Sequence, residues 1–118
     1  MKGTLNKVML IGYVGVSVNA QYFDDGNCVA RFTLATKDVF TDKLTNKKTT
    51  YTQWHNIVVK NKLAEACEDH LNKGDRIYCE GKLKTRDTVR NGLPFVLSEI
   101  HVSKLTFLSV NTSQSEDL

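Results

Sequence analysis

Apolar residues recur at every second position over most of this chain, and a period of two predicts strands. Val8, Leu10, Gly12 and Val14 alternate with Met9, Ile11 and Tyr13, so the first strand is apolar on both faces. A strand of that kind belongs inside a curved or closed sheet. Asp24-Asp25-Gly26-Asn27 is a turn signal. Cys28–Thr36 then alternates, with Ala30, Phe32 and Leu34 on one face and Arg31, Thr33 and Ala35 on the other. Lys37–Thr50 is polar and basic, and predicts a hairpin with a long mobile tip. Over Tyr51–Lys60, His55, Ile57 and Val59 point one way, and Trp54, Asn56, Val58 and Lys60 the other.

The period changes once. Over Asn61–Lys73, Leu63, Cys67 and His70 with Leu71 form an apolar stripe at spacings of three and four, which predicts a helix. Asn61 suits its N-cap and Gly74 its end. Alternation then returns over Asp75–Thr85, with Ile77, Cys79, Gly81 and Leu83 inward and Tyr78, Glu80, Lys82 and Lys84 outward. Asn91-Gly92 marks a tight hairpin, and Phe95–Leu108 is the last strand. The order is all-β: three strands, one short α-helix, two strands. A helix between strands 3 and 4 of a five-stranded barrel is the oligonucleotide-binding (OB) arrangement. Glycines within the strands, Gly12, Gly15 and Gly81, suit the bends of a small barrel. We expect one domain over residues 1–108 and a short disordered tail over 109–118, which is rich in Ser, Asn and Gln.

Composition narrows the class. The 118 residues are 41% hydrophobic and 25% charged, ordinary for a globular domain. No apolar run reaches the roughly 20 residues that span a bilayer, and no export signal is legible. The three cysteines, Cys28, Cys67 and Cys79, match no zinc or redox spacing, and read as buried free thiols of a reducing, cytoplasmic compartment. The net charge is +3. Glu116 and Asp117 are the only charges in Ser109–Leu118, leaving +5 on residues 1–108. A positive excess fits a polyanionic partner.

Catalysis finds little support. Cys67 and His70 stand three apart on the helix, but no second ligand pair accompanies them. Glu80 has no partner carboxylate nearby in sequence, His55 lies on an apolar face, and there is no glycine-rich phosphate loop. We expect no metal, no cofactor and no enzymatic activity. Binding an unpaired strand needs only cations for phosphates and flat rings for bases. Trp54 and Phe40 are the leading rings, with Tyr22 and Tyr78 also considered. Trp54 stands beside Asn56 and Lys60 on the less apolar face of its strand, and Phe40 lies in a polar segment with no core to fill.

Several stretches carry a family resemblance. They are Asn6–Gly12, Phe32–Thr36, Trp54–Val58, Lys62–Glu65, Lys73–Asp75 and Tyr78–Arg86. Together they resemble bacterial single-stranded DNA-binding protein over about residues 4–108. The resemblance implies an OB-fold homotetramer that binds single-stranded DNA without strong sequence preference and protects it in replication, recombination and repair. It places Trp54 and Phe40 at stacking positions, and Lys7, Lys43, Lys62, Lys73 and Arg86 along the phosphate path. Lys60 and Lys84 join this phosphate-binding set. His55 and Tyr78 fall at the subunit interface. Lys60 and Thr88 stand where the family often has aromatic rings, and Asn56 and Asp87 where it often has cations. The chain ends Ser-Glu-Asp-Leu, not in the acidic Pro-Phe tip through which the family recruits replication and repair proteins. A competing reading is a tailless assembly protein of the primosomal replication protein N type. A third is an RNA-binding accessory domain, separable by the 2′-hydroxyl.

Overall fold

Each alternating stretch becomes a strand in a computed structural model, which describes residues 3–109. The elements are β1 (Val8–Val14), β2 (Asn19–Tyr22), β3 (Cys28–Thr41), β4 (Lys48–Lys60), α1 (Asn61–His70), β5 (Arg76–Arg90) and β6 (Leu93–Ser109). Five of the strands form a ring in the order β1-β5-β6-β4-β3, closed by Tyr13↔Ala35 and Val14↔Leu34 between β1 and β3. All pairings are antiparallel except the short β4–β6 contact at Ile57↔Ile100 and Val58↔His101. The ring encloses the core: Val14, Ala30, Phe32, Leu34, Ile57, Val59, Ile77, Cys79, Ile100 and Val102, with Ala64 and Cys67 of α1 and Leu71 just past its end packed against it.

Closure requires strands to pass very near each other at two glycines. A Cβ at Gly12 would lie 2.4 Å from the carbonyl oxygen of Ala35, and one at Gly81 would lie 2.2 Å from that of His101. Gly81 also sits at a register shift of the β5–β6 ladder, where the strand bends. Beyond these points the strands continue as two arms, β3–β4 and β5–β6. The β5–β6 arm ends in the Asn91-Gly92 turn, both residues at positive φ (53° and 77°), as a two-residue hairpin requires.

Several expectations need correction. The helix follows the fourth strand, because Asn19–Tyr22 adds a strand paired with β3; four residues are too few to display a period. The outward residues of β1, Met9, Ile11 and Tyr13, are exposed in this chain, so the strand is covered on one face only. Lys37–Thr50 is mostly ladder: β3 and β4 pair without a break down to Thr41↔Lys48, leaving a tip of six residues. Phe40 is therefore in a strand. Leu83 lies past the Gly81 bend and is exposed. The helix stops at His70, which is exposed, and the buried stripe runs through Ala64, Cys67 and Leu71. Lys60 holds the N-cap position without a side-chain bond; the Asn61 amide oxygen instead accepts the Cys28 N–H at 3.1 Å. Ser109 is the last residue of β6, and the rest of the expected tail lies outside the described residues.

All three cysteines are buried and free. Burial, with the nearby Cys79, pushes the Cys67 thiol up to about 11, and burial does the same for Cys79. Both are packing groups at neutral pH. Among the described residues no helix is long and apolar enough to cross a membrane.

Gly81→Ala must push its new methyl into backbone, not into a flexible side chain. We expect it to cost about 1–3 kcal/mol of stability, read as a lower urea midpoint; an unchanged midpoint would contradict the close crossing.

Candidate nucleic-acid interface

Strand β4 has two faces by virtue of its pleat. His55, Ile57 and Val59 turn toward the barrel; Trp54, Asn56, Val58 and Lys60 turn away. Three concave regions lie along that outer face. Trp54 borders a cleft of about 290 Å³ with Tyr13, Lys37 and Lys73. Asn56 and Val58 border a groove of about 270 Å³ with Arg31, Arg86 and Glu99. Val58 and Lys60 border a third region with Lys82, Lys84 and His101. Rings stand at one end, and cations line all three.

The indole of Trp54 is 60% exposed. It crosses β3 toward β1, where a Cβ on Gly15 would lie 2.2 Å from its Cζ3. Gly15 thus gives the ring its bed, a role different from the strand bend expected of it. In the closing register Tyr13 is opposite Ala35, and Ala35 opposite Trp54. The two rings stand on either side of an alanine. Lys73 is brought to them by the turn that ends the helix. The Val14 N–H donates to the Asp75 carbonyl at 2.9 Å, and the Gly74 N–H to the Val14 carbonyl at 2.8 Å. The φ of 91° at Gly74 makes this turn possible.

At the centre of the groove, Glu99 is only 3% exposed. Its carboxylate meets Nε of Arg31 at 3.6 Å, Nε of Arg86 at 3.3 Å and Nε2 of His101 at 3.3 Å. Burial by itself would raise the carboxyl; the His101 hydrogen bond and the charges of Arg86 and Arg31 outweigh it and hold it below the usual carboxylate range. Nearby, Asn56 Nδ2 donates to the Ser98 carbonyl at 3.3 Å, tying β4 to the β5–β6 arm.

The structure gathers Trp54, Lys60, Lys73, Lys84 and Arg86 along this path. It does not gather the others. Phe40 is 62% exposed but pairs with Thr49 on the face of the arm opposite to Trp54. Lys43 is in the exposed tip and Lys62 on the exposed side of α1. Lys7 is ion-paired with Glu80 at 3.4 Å and lines none of the three regions. His55 Nε2 is hydrogen-bonded to Thr36 Oγ1 at 2.9 Å on the barrel side of β4. The Tyr78 hydroxyl donates to Glu80, which raises the phenol and lowers the carboxyl, and the Tyr22 hydroxyl donates to Glu68 on α1.

Sequence reasoning missed Tyr13, Arg31, Phe95 and Glu99. Arg31 was legible as a cation on the polar face of β3, a face it shares with Lys37. Phe95 lies opposite Thr88 and carries the Arg90 guanidinium 4.2 Å from its ring centroid, so a ring does stand beside the non-aromatic Thr88. Nothing in the alternation of β6 marked Glu99 as buried.

Known proteins resemble this chain along nearly its whole length. Residues 5–108 match the model of the Single-strand binding protein family. A single-stranded DNA-binding protein of Bacteroides thetaiotaomicron is 42% identical over 108 residues, covering 90% of this chain and 67% of that protein. The Plasmodium falciparum SSB in complex with single-stranded DNA superposes with a TM-score of 0.81 at 36% identity, over 92% of this chain and 99% of that one. A deletion mutant of the Thermus aquaticus single-stranded DNA-binding protein gives 0.75 at 27% identity, over 89% of this chain and 51% of that one.

Because the folded Glu99 carboxyl is held below the usual carboxylate range, the stability it contributes is present above the unfolded pKa of about 4.3. It is lost as pH falls through the lower native value. Urea melts of the wild type and Glu99→Gln should therefore differ most near neutrality and converge as pH drops below about 4.3. A constant gap down to pH 3 would contradict the ion-pair assignment.

Proposed function

The chain belongs to the Single-strand binding protein family, and on that footing we propose that it binds single-stranded DNA without strong sequence preference. The observation that carries this reading is the exposed Trp54 indole at the head of a cation-lined path along one face of β4. A stacked base contributes roughly 1–3 kcal/mol whatever its identity, because every base has a π-face. Trp54 takes a base, and Tyr13 offers a second ring at the same cleft. Lys73, Arg86, Lys60 and Lys84 meet phosphates. A lysine at position 60 makes that point of the path electrostatic and not stacking. The work is protection of unpaired strands in replication, recombination and repair, by binding alone.

The barrel fits the OB arrangement once the four-residue β2 is set aside, since the helix then falls between the third and fourth ring strands. Phe40, Lys43, Lys7 and Lys62 lie off the β4 path. They meet DNA where a strand continues past one barrel onto the surface of an assembly. The assembly we propose is a homotetramer with His55 and Tyr78 at its contacts. The exposed apolar row Met9 and Ile11 beside Tyr78 supports this, for Ile11 and Tyr78 are register partners.

Oligo-dT should quench Trp54 fluorescence, and Trp54→Ala should weaken binding by about 1–3 kcal/mol per stacked base without unfolding the protein. Unchanged emission at saturation would remove Trp54 from the site. Affinity should fall with salt at a log–log slope of about 0.7 per phosphate neutralised, and duplex of equal length should bind far more weakly. Light scattering should give four times the chain mass of 13.3 kDa; a stable monomer would refute the assembly.

A further inference from the structure

We propose that Arg31 and Arg86, held together by the buried Glu99, form a two-arginine phosphate site in which Glu99 is the positioning residue; this rests on the reading of the chain as a binder of single-stranded DNA. Arg31 comes from β3 and Arg86 from β5, two strands with no mutual pairing. Glu99 is where they meet, with its two carboxylate oxygens divided between them. Their side chains remain about half exposed (45% and 48%) and line one groove with Asn56.

A carboxylate is an expensive choice for a buried position, since an apolar side chain of similar size is often as stabilising or more so. The acid does one thing that a leucine cannot: it fixes two guanidinium groups before a ligand arrives. Both ion pairs run through Nε. A guanidinium anchored there keeps its two Nη nitrogens for another acceptor, and a phosphodiester presents the oxygens they need. Two free arginines of like charge, each with a long flexible stem, would otherwise spread into solvent and have to be ordered on binding. His101, at the same carboxylate, completes the set of groups around Glu99.

Two effects of Glu99 on binding oppose each other, and they differ in sign. If its negative charge acts simply as a competitor for cations, removing it from a cationic groove tightens DNA binding. If it acts by positioning, removing it loosens binding although the groove becomes more positive. The second is our expectation. Glu99→Gln keeps size and shape, and should weaken oligo-dT binding roughly three- to tenfold at fixed salt, the scale of ordering one or two long side chains. Arg86→Lys keeps the charge but has a single nitrogen, which cannot be anchored and donate outward like a fork. It should weaken binding to a similar extent, and the double variant should lose little more than either alone.

Binding by Glu99→Gln as tight as or tighter than wild type overturns the proposal, and so do losses that add fully in the double variant. Should Glu99→Gln fail to fold by circular dichroism, Arg31→Lys and Arg86→Lys carry the test, and unchanged affinity in both overturns it. A wild type that binds no oligo-dT at all would refute the parent reading instead.

Discussion

Strand β4 serves the barrel and the groove at once, and its pleat binds the two together. Ile57 and Val59 fill the core from one face while Trp54, Asn56 and Lys60 line the path from the other. Because side chains alternate strictly, a slip of one residue would expose the core set and bury the groove set. The ladder with β3 guards against that slip by running unbroken from Val29↔Lys60 to Thr41↔Lys48. Val58 is the informative exception. It belongs to the outer face yet is buried, because β6 comes alongside it in the parallel contact at His101. That contact divides the outer face into separate hollows and sets where cations from the β5–β6 arm can approach β4.

Ring closure gives the groove its rings. Tyr13 and Trp54 are 41 residues apart in the chain and belong to strands that do not pair with each other. They share a cleft because β1 closes onto β3 and β3 lies against β4, which sets Tyr13, Ala35 and Trp54 in one row. The small side chain in the middle and the missing one at Gly15 let an indole lie across the sheet and still present itself to solvent. Gly12 and Gly81 act one step earlier: without them the strands could not approach closely enough to close the ring.

Charge in this protein is placed with some economy of repulsion. Lys7 is matched to Glu80 on the β1–β5 side, and Arg31 and Arg86 share Glu99 in the groove. Exposed pairs of the first kind contribute little to stability. The buried acid is different, because it is the group that holds the two guanidinium groups together in the groove. The three thiols take no part in this; buried in the core, they behave as small apolar groups.

Local pattern was enough to establish much of this. The period of two located the long strands, the switch to spacings of three and four located the helix, and Asn91-Gly92 located a hairpin whose two residues do adopt positive φ. The faces of β3 and β4 were legible, and with them the outward placement of Trp54, since alternation is a property of neighbours along the chain. Four-residue β2 escaped because so short a segment has no period, and the tip of the β3–β4 hairpin is shorter than its polar sequence suggests because the arm leaves the core and has no apolar face to bury. Which cations converge, that Phe40 faces away from Trp54, that Tyr13 joins Trp54, and that Glu99 lies beneath two arginines were decided only by tertiary structure. Each depends on the ring closing and on the register at which strands distant in sequence meet, and no side chain records that in its own neighbourhood.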